Sequence, residues 1–374
     1  MTADTSPCHK EKDMAKNPTK KSFRLWKLPL YLMAVVLLLV AGLLLFLTVT
    51  EYRPPKSENL TLSGTALRTI APGDSLTLMS WNLGYGALGD NADFFMDGGS
   101  GVITADEARL KSNLEGIWQA IESINPDILL AQEIDRPSHR SGDRDQVAWL
   151  QQKLEAYTAA FANNYKVAFV PYPWPPLGQV DSGLASFSAF TISRAERIQL
   201  PISFSWPVRM ANLKRCLLIT RLPLEGSGKE LVIINLHLEA YDEGEGKAAQ
   251  TKMLAELLEA EAAQGHYVIA GGDFNQVFST ANAEKYPVLE GNWAAPQIDV
   301  SQIGGAWQFL MDEALPSCRL LNQPYQGADK SNFQYYLIDG FIVSDNIQVD
   351  YLGTQDLGFV CSDHNPVVLK LTLK

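Results

Sequence analysis

Apolar and polar positions follow three regimes along this chain. Residues 30–49 are twenty in a row without a charge, enough to cross a bilayer core of about 30 Å as a helix. Residues 51–74 mix proline, glycine and small polar residues, and read as a linker or an extended lead-in. From Leu76 onward, short apolar runs predict strands near 76–82, 127–132, 165–170, 184–192, 214–222, 230–238, 267–272, 335–344 and 366–373. Helical periodicity appears at 106–124, 143–157 and 247–262. Leu231, Ile233 and Asn235 fall on one face of their strand, with Val232, Ile234 and Leu236 on the other, so the sheet is expected to be covered on both sides. Strands grouped between a few helices favour one α/β sandwich of packed layers, with no second domain after Leu76.

Charge adds a direction. The net charge is −11, yet the first 27 residues carry seven Lys or Arg against three acids, leaving −15 on the remainder. Basic residues at Lys20, Lys21, Arg24 and Lys27 before the apolar run are expected to hold the N-terminus in the cytoplasm. The organisation expected is a basic cytoplasmic tail (1–28), a single transmembrane anchor (29–50), a linker (51–74) and one folded domain (75–374) on the extracytoplasmic side of the cell membrane. The rival reading is a cleaved signal peptide, whose apolar region is usually shorter, about 7 to 15 residues. The acidic remainder lacks the broad basic footprint of a duplex-binding protein, so nucleic acid is disfavoured as a partner without being excluded. Cys8 lies in the tail, leaving Cys216, Cys318 and Cys361, so at most one disulfide can form beyond it.

Four polar motifs end apolar runs: Ser80-Trp81-Asn82, Ala131-Gln132-Glu133, Gly272-Asp273-Phe274-Asn275 and Ser362-Asp363-His364-Asn365-Pro366. Strand ends are where open α/β sheets present ligand-binding groups. Glu133 is the first-choice ligand for a hard cation, although a lone glutamate after a strand is more often a solvated loop residue. Asn82 can hold a metal shell or a phosphate oxygen without adding charge, or simply form a turn before Gly84. Asp273 and Asn275 share one side of an extended segment, or close an Asx turn. The His364 ring can donate a hydrogen bond to charge developing on phosphate, or pass a proton.

In this order and spacing the motifs resemble the endonuclease/exonuclease/phosphatase superfamily. The resemblance implies the deoxyribonuclease I-like fold, a four-layer α/β/β/α sandwich, here behind one N-terminal transmembrane helix. It also implies hydrolysis of phosphate esters with Mg²⁺ or Mn²⁺. It assigns Asp273 to orienting the attacking water and Asn275 to the phosphate. It makes Asp339 the carboxylate partner of His364, places Asp363 near the metal with Glu133 and Asn82, and matches His237 to a second phosphate-binding histidine. Which group serves as general acid and which as general base stays open. Leu236 and Gly340 depart from the residues common in the family, which blurs the branch.

Substrate signals are thinner. Arg136, Arg140 and Arg215 are candidates to clamp an anionic group, though the interleaved acids around the first two favour a solvated salt-bridged loop. The segments 171–176 and 204–207 could form an aromatic rim over a lipid or base, or rigid turns packed on their own domain. His9, His139 and His266 read as structural or solvated. The loop at 84–104 invites a calcium-loop reading, but Phe95 and Thr104 stand where ligands would be needed. It reads instead as a solvated loop bordering the active site. The function expected is a membrane-tethered phosphoesterase, preferring a diester such as a lipid headgroup. The alternatives are an extracellular nuclease and a non-catalytic scaffold that keeps the fold.

Overall fold

The computed structural model describes residues 27–242 and 244–374, together with residues 1 and 3. Most of the basic tail, Cys8 and His9 included, lies outside the described residues. Helix α1 (Leu28–Thr50) contains no charged residue in its first or last turn and is long and apolar enough to cross a membrane. The chain divides into two compact units, Met1–Phe46 and Leu47–Lys374. The second unit carries the sheets.

Its main strands, in chain order, are β1 (Ser57–Asn59), β2 (Ser75–Asn82), β3 (Ile128–Asp135), β4 (Thr158–Val170), β5 (Gly178–Ser188), β6 (Arg194–Gln199), β7 (Cys216–Pro223), β8 (Glu230–His237), β9 (Tyr267–Asp273), β10 (Trp307–Leu310), β11 (Asp339–Ser344), β12 (Ile347–Thr354) and β13 (Val367–Leu373). Helices α2 (Glu107–Ile124), α3 (Gln146–Lys153) and α4 (Glu245–Ala262) complete it. One sheet has the order β12-β13-β2-β3-β5-β4, the other β1-β6-β7-β8-β9-β11-β10. Each is largely antiparallel, with one parallel pair at its centre: β2 with β3, and β8 with β9.

Alternation along these central strands builds the layers. Leu76, Leu78, Ile128 and Leu130 from one sheet meet Leu231, Ile233, Ile269 and Phe341 from the other, forming the core between the sheets. The opposite faces of the same strands send Met79, Trp81 and Leu129 to α2 and α3, and Val232, Ile234 and Val268 to α4. The result is the four-layer α/β/β/α sandwich. The two-sided run on β8 sorts as the sequence suggested, with Asn235 on the inner face. Buried there, Asn235 accepts from Gln132 Nε2 at 2.8 Å and donates to the carbonyls of Ala185 and Ala131. Gln132 also donates to Ser80. A buried amide is tolerated only with its partners in place, so this polar bridge between the sheets fixes their mutual register.

Differences from the expected elements have local causes. The strands expected at 165–170 and 184–192 are found at 158–170 and 178–188. Their early halves are rich in Ala, Asn, Ser and Gly, weak strand formers that extend here because β4 and β5 pair along most of their length. The sequence Arg-Ala-Glu-Arg-Ile-Gln of β6 carries charges at helix-like spacing, yet pairs on both sides, with β1 and β7. The 143–157 helix shortens to α3, where Asp145 caps the Ala148 amide. The segment at 51–74 lies along the sandwich throughout: β1 pairs with β6, Ser63 bridges Ala159, Arg68 bridges Phe190 and Ile70 bridges Leu224.

Candidate functional site

The C-terminal ends of β2, β8 and β9 converge on one edge of the sandwich. Asn82 and His237 close their strands, and the β8–β9 register sets His237 opposite Asp273. Antiparallel pairing of β9 with β11 then sets Asp273 opposite Asp339. Backbone pairing alone thus lines up a histidine and two carboxylates. Gly272 makes this possible: at φ +147° a Cβ there would stand 2.0 Å from the Leu236 carbonyl oxygen.

Glu133 arrives differently. The β3–β5 register slips between Ala131 and Ile134, and Glu133 occupies that bulge at φ +47°. A left-handed backbone is unfavourable for a residue with a Cβ, and such strain, like β-bulges, gathers at functional edges. The Asn82 amide donates to Asp273 Oδ2 at 3.1 Å and to Glu133 Oε1 at 3.4 Å. The last motif forms the loop before β13. Trp81 Nε1 donates to the His364 carbonyl at 2.8 Å, and Ser362 Oγ donates to the Asn82 carbonyl at 2.8 Å, so the first motif anchors the fourth.

His364 Nδ1 lies 2.8 Å from Asp339 Oδ2, while its Nε2 lies 3.8 Å from Asp273 and 3.9 Å from Asp363. Asp339 is itself held by its backbone amide on Ser317 Oγ at 3.1 Å. His237 Nε2 is 3.4 Å from Asp273 Oδ2, and its Nδ1 is 3.9 Å from Glu133. Asn275 uses its backbone amide on Asp273 Oδ1 at 2.8 Å and its side chain on the Leu238 carbonyl at 2.9 Å. The fold therefore brings together Asn82, Glu133, His237, Asp273, Asn275, Asp339, Asp363 and His364.

The three arginines are placed otherwise. Arg140 is buried, forks onto Asp135 at 2.9 and 3.1 Å and covers the Tyr85 ring at 3.7 Å. Arg136 lies over the Phe161 ring at 4.2 Å. Arg215, also buried, donates to the His237 carbonyl at 3.1 Å and approaches Glu239 at 3.6 Å. It backs the strand that carries His237.

Electrostatics separate the two histidines. Burial disfavours charge on His364, but the Asp339 carboxylate outweighs it, with Cys318 and Asp363 adding to the effect, and the ring is held well above its usual pKa. Burial, then Arg215 and His364, push His237 well below its own. One imidazole keeps its proton while the other gives it up, an arrangement suited to acid–base division of labour. Burial raises Asp273 as well, with Asp339 reinforcing it.

A fifth carboxylate was not legible in the motifs. Asp97, on the 84–104 loop, is raised to about 7 by burial and then by Asp363 and Glu133. Asp363 is raised to about 6 by burial and by Glu133, against the lowering pull of His364. Carboxylates that mutually disfavour ionisation are relieved by a cation among them, so this donor set fits a hard divalent ion. Two further triads have ligand atoms within 4.8 Å of one another: Asp273, Asp339 and His364, and Cys318, Asp363 and His364. The first is already joined by its own hydrogen bond, and the thiol of the second suits softer metals. Arg319, buried behind the loop, bonds the Gly89 carbonyl at 2.7 Å and lends positive charge to Asp363. Neither Asp97 nor Arg319 sits in a motif. Their only sequence signal was the length of the loop that one occupies.

Comparison with known proteins bears on the family and the fold. The profile described as Endonuclease/Exonuclease/phosphatase family matches residues 79–364. Among solved structures, an endonuclease/exonuclease/phosphatase from Beutenbergia cavernae DSM 12333 is similar, at 17% identity and a TM-score of 0.54, covering 80% of this chain and 72% of that one. Another from Bacteroides vulgatus shares 15% identity at a TM-score of 0.51, covering 80% of this chain and 100% of that one. A humanized D. rerio TDP2 shares 16% at 0.51, covering 80% and 99%. These identities speak for the fold alone. No curated protein sequence matches the chain.

Proposed function

Because this chain belongs to the endonuclease/exonuclease/phosphatase family, whose members are generally hydrolases of phosphate esters, we propose that it is a divalent-metal-dependent phosphodiesterase held to a membrane by α1. The observation that carries the reading is the buried Asp339–His364 pair at 2.8 Å facing Asp273 across 3.8 Å. A phosphodiester resists attack because its oxygens are charged and its leaving group is a poor one. Hydrolysis needs a positioned water, a donor toward the phosphoryl oxygens and a charge to offset theirs.

The residues divide these tasks. Asp273, fixed by the Asn82 amide and the Asn275 backbone, orients the water and takes its proton. His364, kept protonated by Asp339, donates toward a phosphoryl or leaving oxygen. His237, neutral and backed by Arg215, donates a hydrogen bond to another. Glu133, Asp363 and Asn82 would hold Mg²⁺ or Mn²⁺, which supplies charge neutralisation at the phosphate when bound. Asn275 donates one of its two side-chain N–H groups to the Leu238 carbonyl, which leaves the second for a phosphate oxygen.

With α1 as an uncleaved anchor and the basic tail in the cytoplasm, the sandwich faces the extracytoplasmic side, and a lipid headgroup or another small phosphodiester is the favoured substrate. The full chain in detergent, with Mg²⁺ or Mn²⁺, would be assayed on bis-p-nitrophenyl phosphate, p-nitrophenyl phosphate, plasmid DNA and phospholipid vesicles. Metal-dependent turnover of a diester, lost in His364→Ala, is expected. Absence of metal-dependent turnover on every ester would refute the enzyme reading. Digestion of the C-terminal domain by protease added to intact cells is expected from the topology, and its protection would refute that orientation.

A further inference from the structure

The first residue after α1 has no slack. Glu51, immediately following Thr50, is buried among three cations: Arg53 Nε at 2.9 Å, Arg209 Nε at 3.3 Å and Lys214 Nζ at 3.7 Å. Lys214 also donates to the Arg209 carbonyl. Arg209 belongs to the 3₁₀ turn Val208–Ala211, which directly follows Trp206-Pro207. The end of the apolar helix is thus fastened, within one residue, to a turn whose Trp206 and Val208 are 58% and 55% exposed.

A second exposed turn springs from the same place. Ala211 and Phe95 pack on the cluster of Val167, Val170 and Leu177, and the Tyr165 hydroxyl donates to the Ala211 carbonyl at 3.2 Å. Between Val170 and Leu177 stand Tyr172 and Trp174, 70% and 88% exposed, the former edge-on to Phe95. Two turns therefore present large apolar rings to solvent around one point, and that point is where the membrane-crossing candidate joins the domain.

We propose that the 206–208 and 172–174 turns form an interfacial docking surface for a lipid bilayer. The occupant follows from the chain. A residue advances at most about 3.6 Å, so a bilayer spanned by α1 ends within a few ångströms of Glu51 and of the turn bonded to it. Trp and Tyr rings favour the headgroup layer, where an apolar body and a polar edge are both satisfied. The exposed stems of Arg53 and Arg209 can reach lipid phosphates while Glu51 holds their inner nitrogens. A base-stacking platform for single-stranded nucleic acid would require a cationic groove along it, which a remainder of net charge −15 does not favour.

This inference rests on α1 spanning the membrane, and the experiment separates the two. The full chain, carrying Cys8→Ser and Cys361→Ser so that only the buried thiols remain, is reconstituted into nanodiscs of mixed zwitterionic and anionic phospholipid. Nitroxide is attached singly at Leu39→Cys in α1, at Val208→Cys, at Tyr172→Cys (both preserving the tryptophans) and at Tyr351→Cys on β12, across the sheet from β4. Collisional accessibility to oxygen and to a water-soluble nickel chelate is read at each. The expected result is a lipid-core value at residue 39 and an oxygen-to-chelate ratio at 208 and 172 several-fold above that at 351. Equal, aqueous ratios at 208, 172 and 351 with residue 39 in lipid would overturn the docking surface alone. An aqueous value at residue 39 would overturn the spanning reading and the docking surface with it.

Discussion

At the scale of single residues, the proposed chemistry turns on keeping one histidine charged beside another that is neutral. Asp339 is responsible for the first. Replacing it with Asn keeps the shape and removes the charge that offsets burial of His364. In Asp339→Asn, kcat on a chromogenic diester is expected to fall roughly 10²–10⁴-fold, the usual worth of general acid–base catalysis, with a much smaller change in KM. An unchanged kcat in a steady-state assay would remove His364 from proton transfer. The sequence offered this pairing only through the family resemblance, which matched Asp339 to the partner position of His364; the residues alone did not join two segments 25 positions apart. Asp97 was not readable. The Phe94 amide bonds the Leu321 carbonyl and helps hold its loop beside the other carboxylates, and no local pattern encodes a contact between residues 227 positions apart.

Asp242, beyond the His237 strand, shows how a surface carboxylate holds a loop. It accepts the Gly246 and Lys247 amides, and Lys247 Nζ lies 3.0 Å from its Oδ1. Burial alone would raise its pKa, but the Lys247 ammonium and the two amides outweigh burial and leave it lowered. A carboxyl with a lowered folded pKa contributes stability that is present above its unfolded value, near 3.9, and is lost as pH falls through the folded value. Asp242→Asn should therefore destabilise the start of α4 by about 1–3 kcal/mol at neutral pH. The difference from wild type should shrink below about pH 4, read by amide hydrogen exchange at Gly246 and Lys247. A difference independent of pH would assign the effect to shape and not to charge.

At the scale of elements, the site depends on how closely β8 and β9 approach. A methyl group at position 272 would collide with the Leu236 carbonyl in a backbone region that L-residues avoid. Gly272→Ala is expected to lower stability by roughly 3 kcal/mol or more through clash and strain together, measured by urea unfolding. A loss under about 0.5 kcal/mol, the scale of an ordinary surface substitution, would show that the strands can part there. The central strands were legible because both their faces are apolar, so any register of the hydrophobic pattern announces them. The edges were not. β6 carries three charges in six residues and β1 lies in a Pro-rich lead-in, so both owe their conformation to partners distant in sequence. Glu133 lies between these cases, since its motif was plain and its bulge was not.

At the scale of the whole molecule, a cation held among the crowded carboxylates, as proposed, would make metal binding and stability a single equilibrium. The domain should gain about 2.7 kcal/mol when Mg²⁺ or Mn²⁺ reaches 100 times its Kd, seen as a rise in Tm that EDTA reverses. Glu133→Gln should reduce that response while leaving the metal-free Tm equal or higher, because one of the repelling charges is gone. A wild-type Tm indifferent to both cations would argue against the metal reading.

The fastening of residues 51–74 along the sandwich bears on how the protein finds its substrate. With α1 in a bilayer, as proposed, the chain that leads from Glu51 into the sandwich would add no free length, and the covalent link would keep the domain at the membrane. Its search would be two-dimensional, limited by lateral diffusion and by the surface density of substrate, and its rate would vary with the amount per unit area of membrane more than with the amount per unit volume.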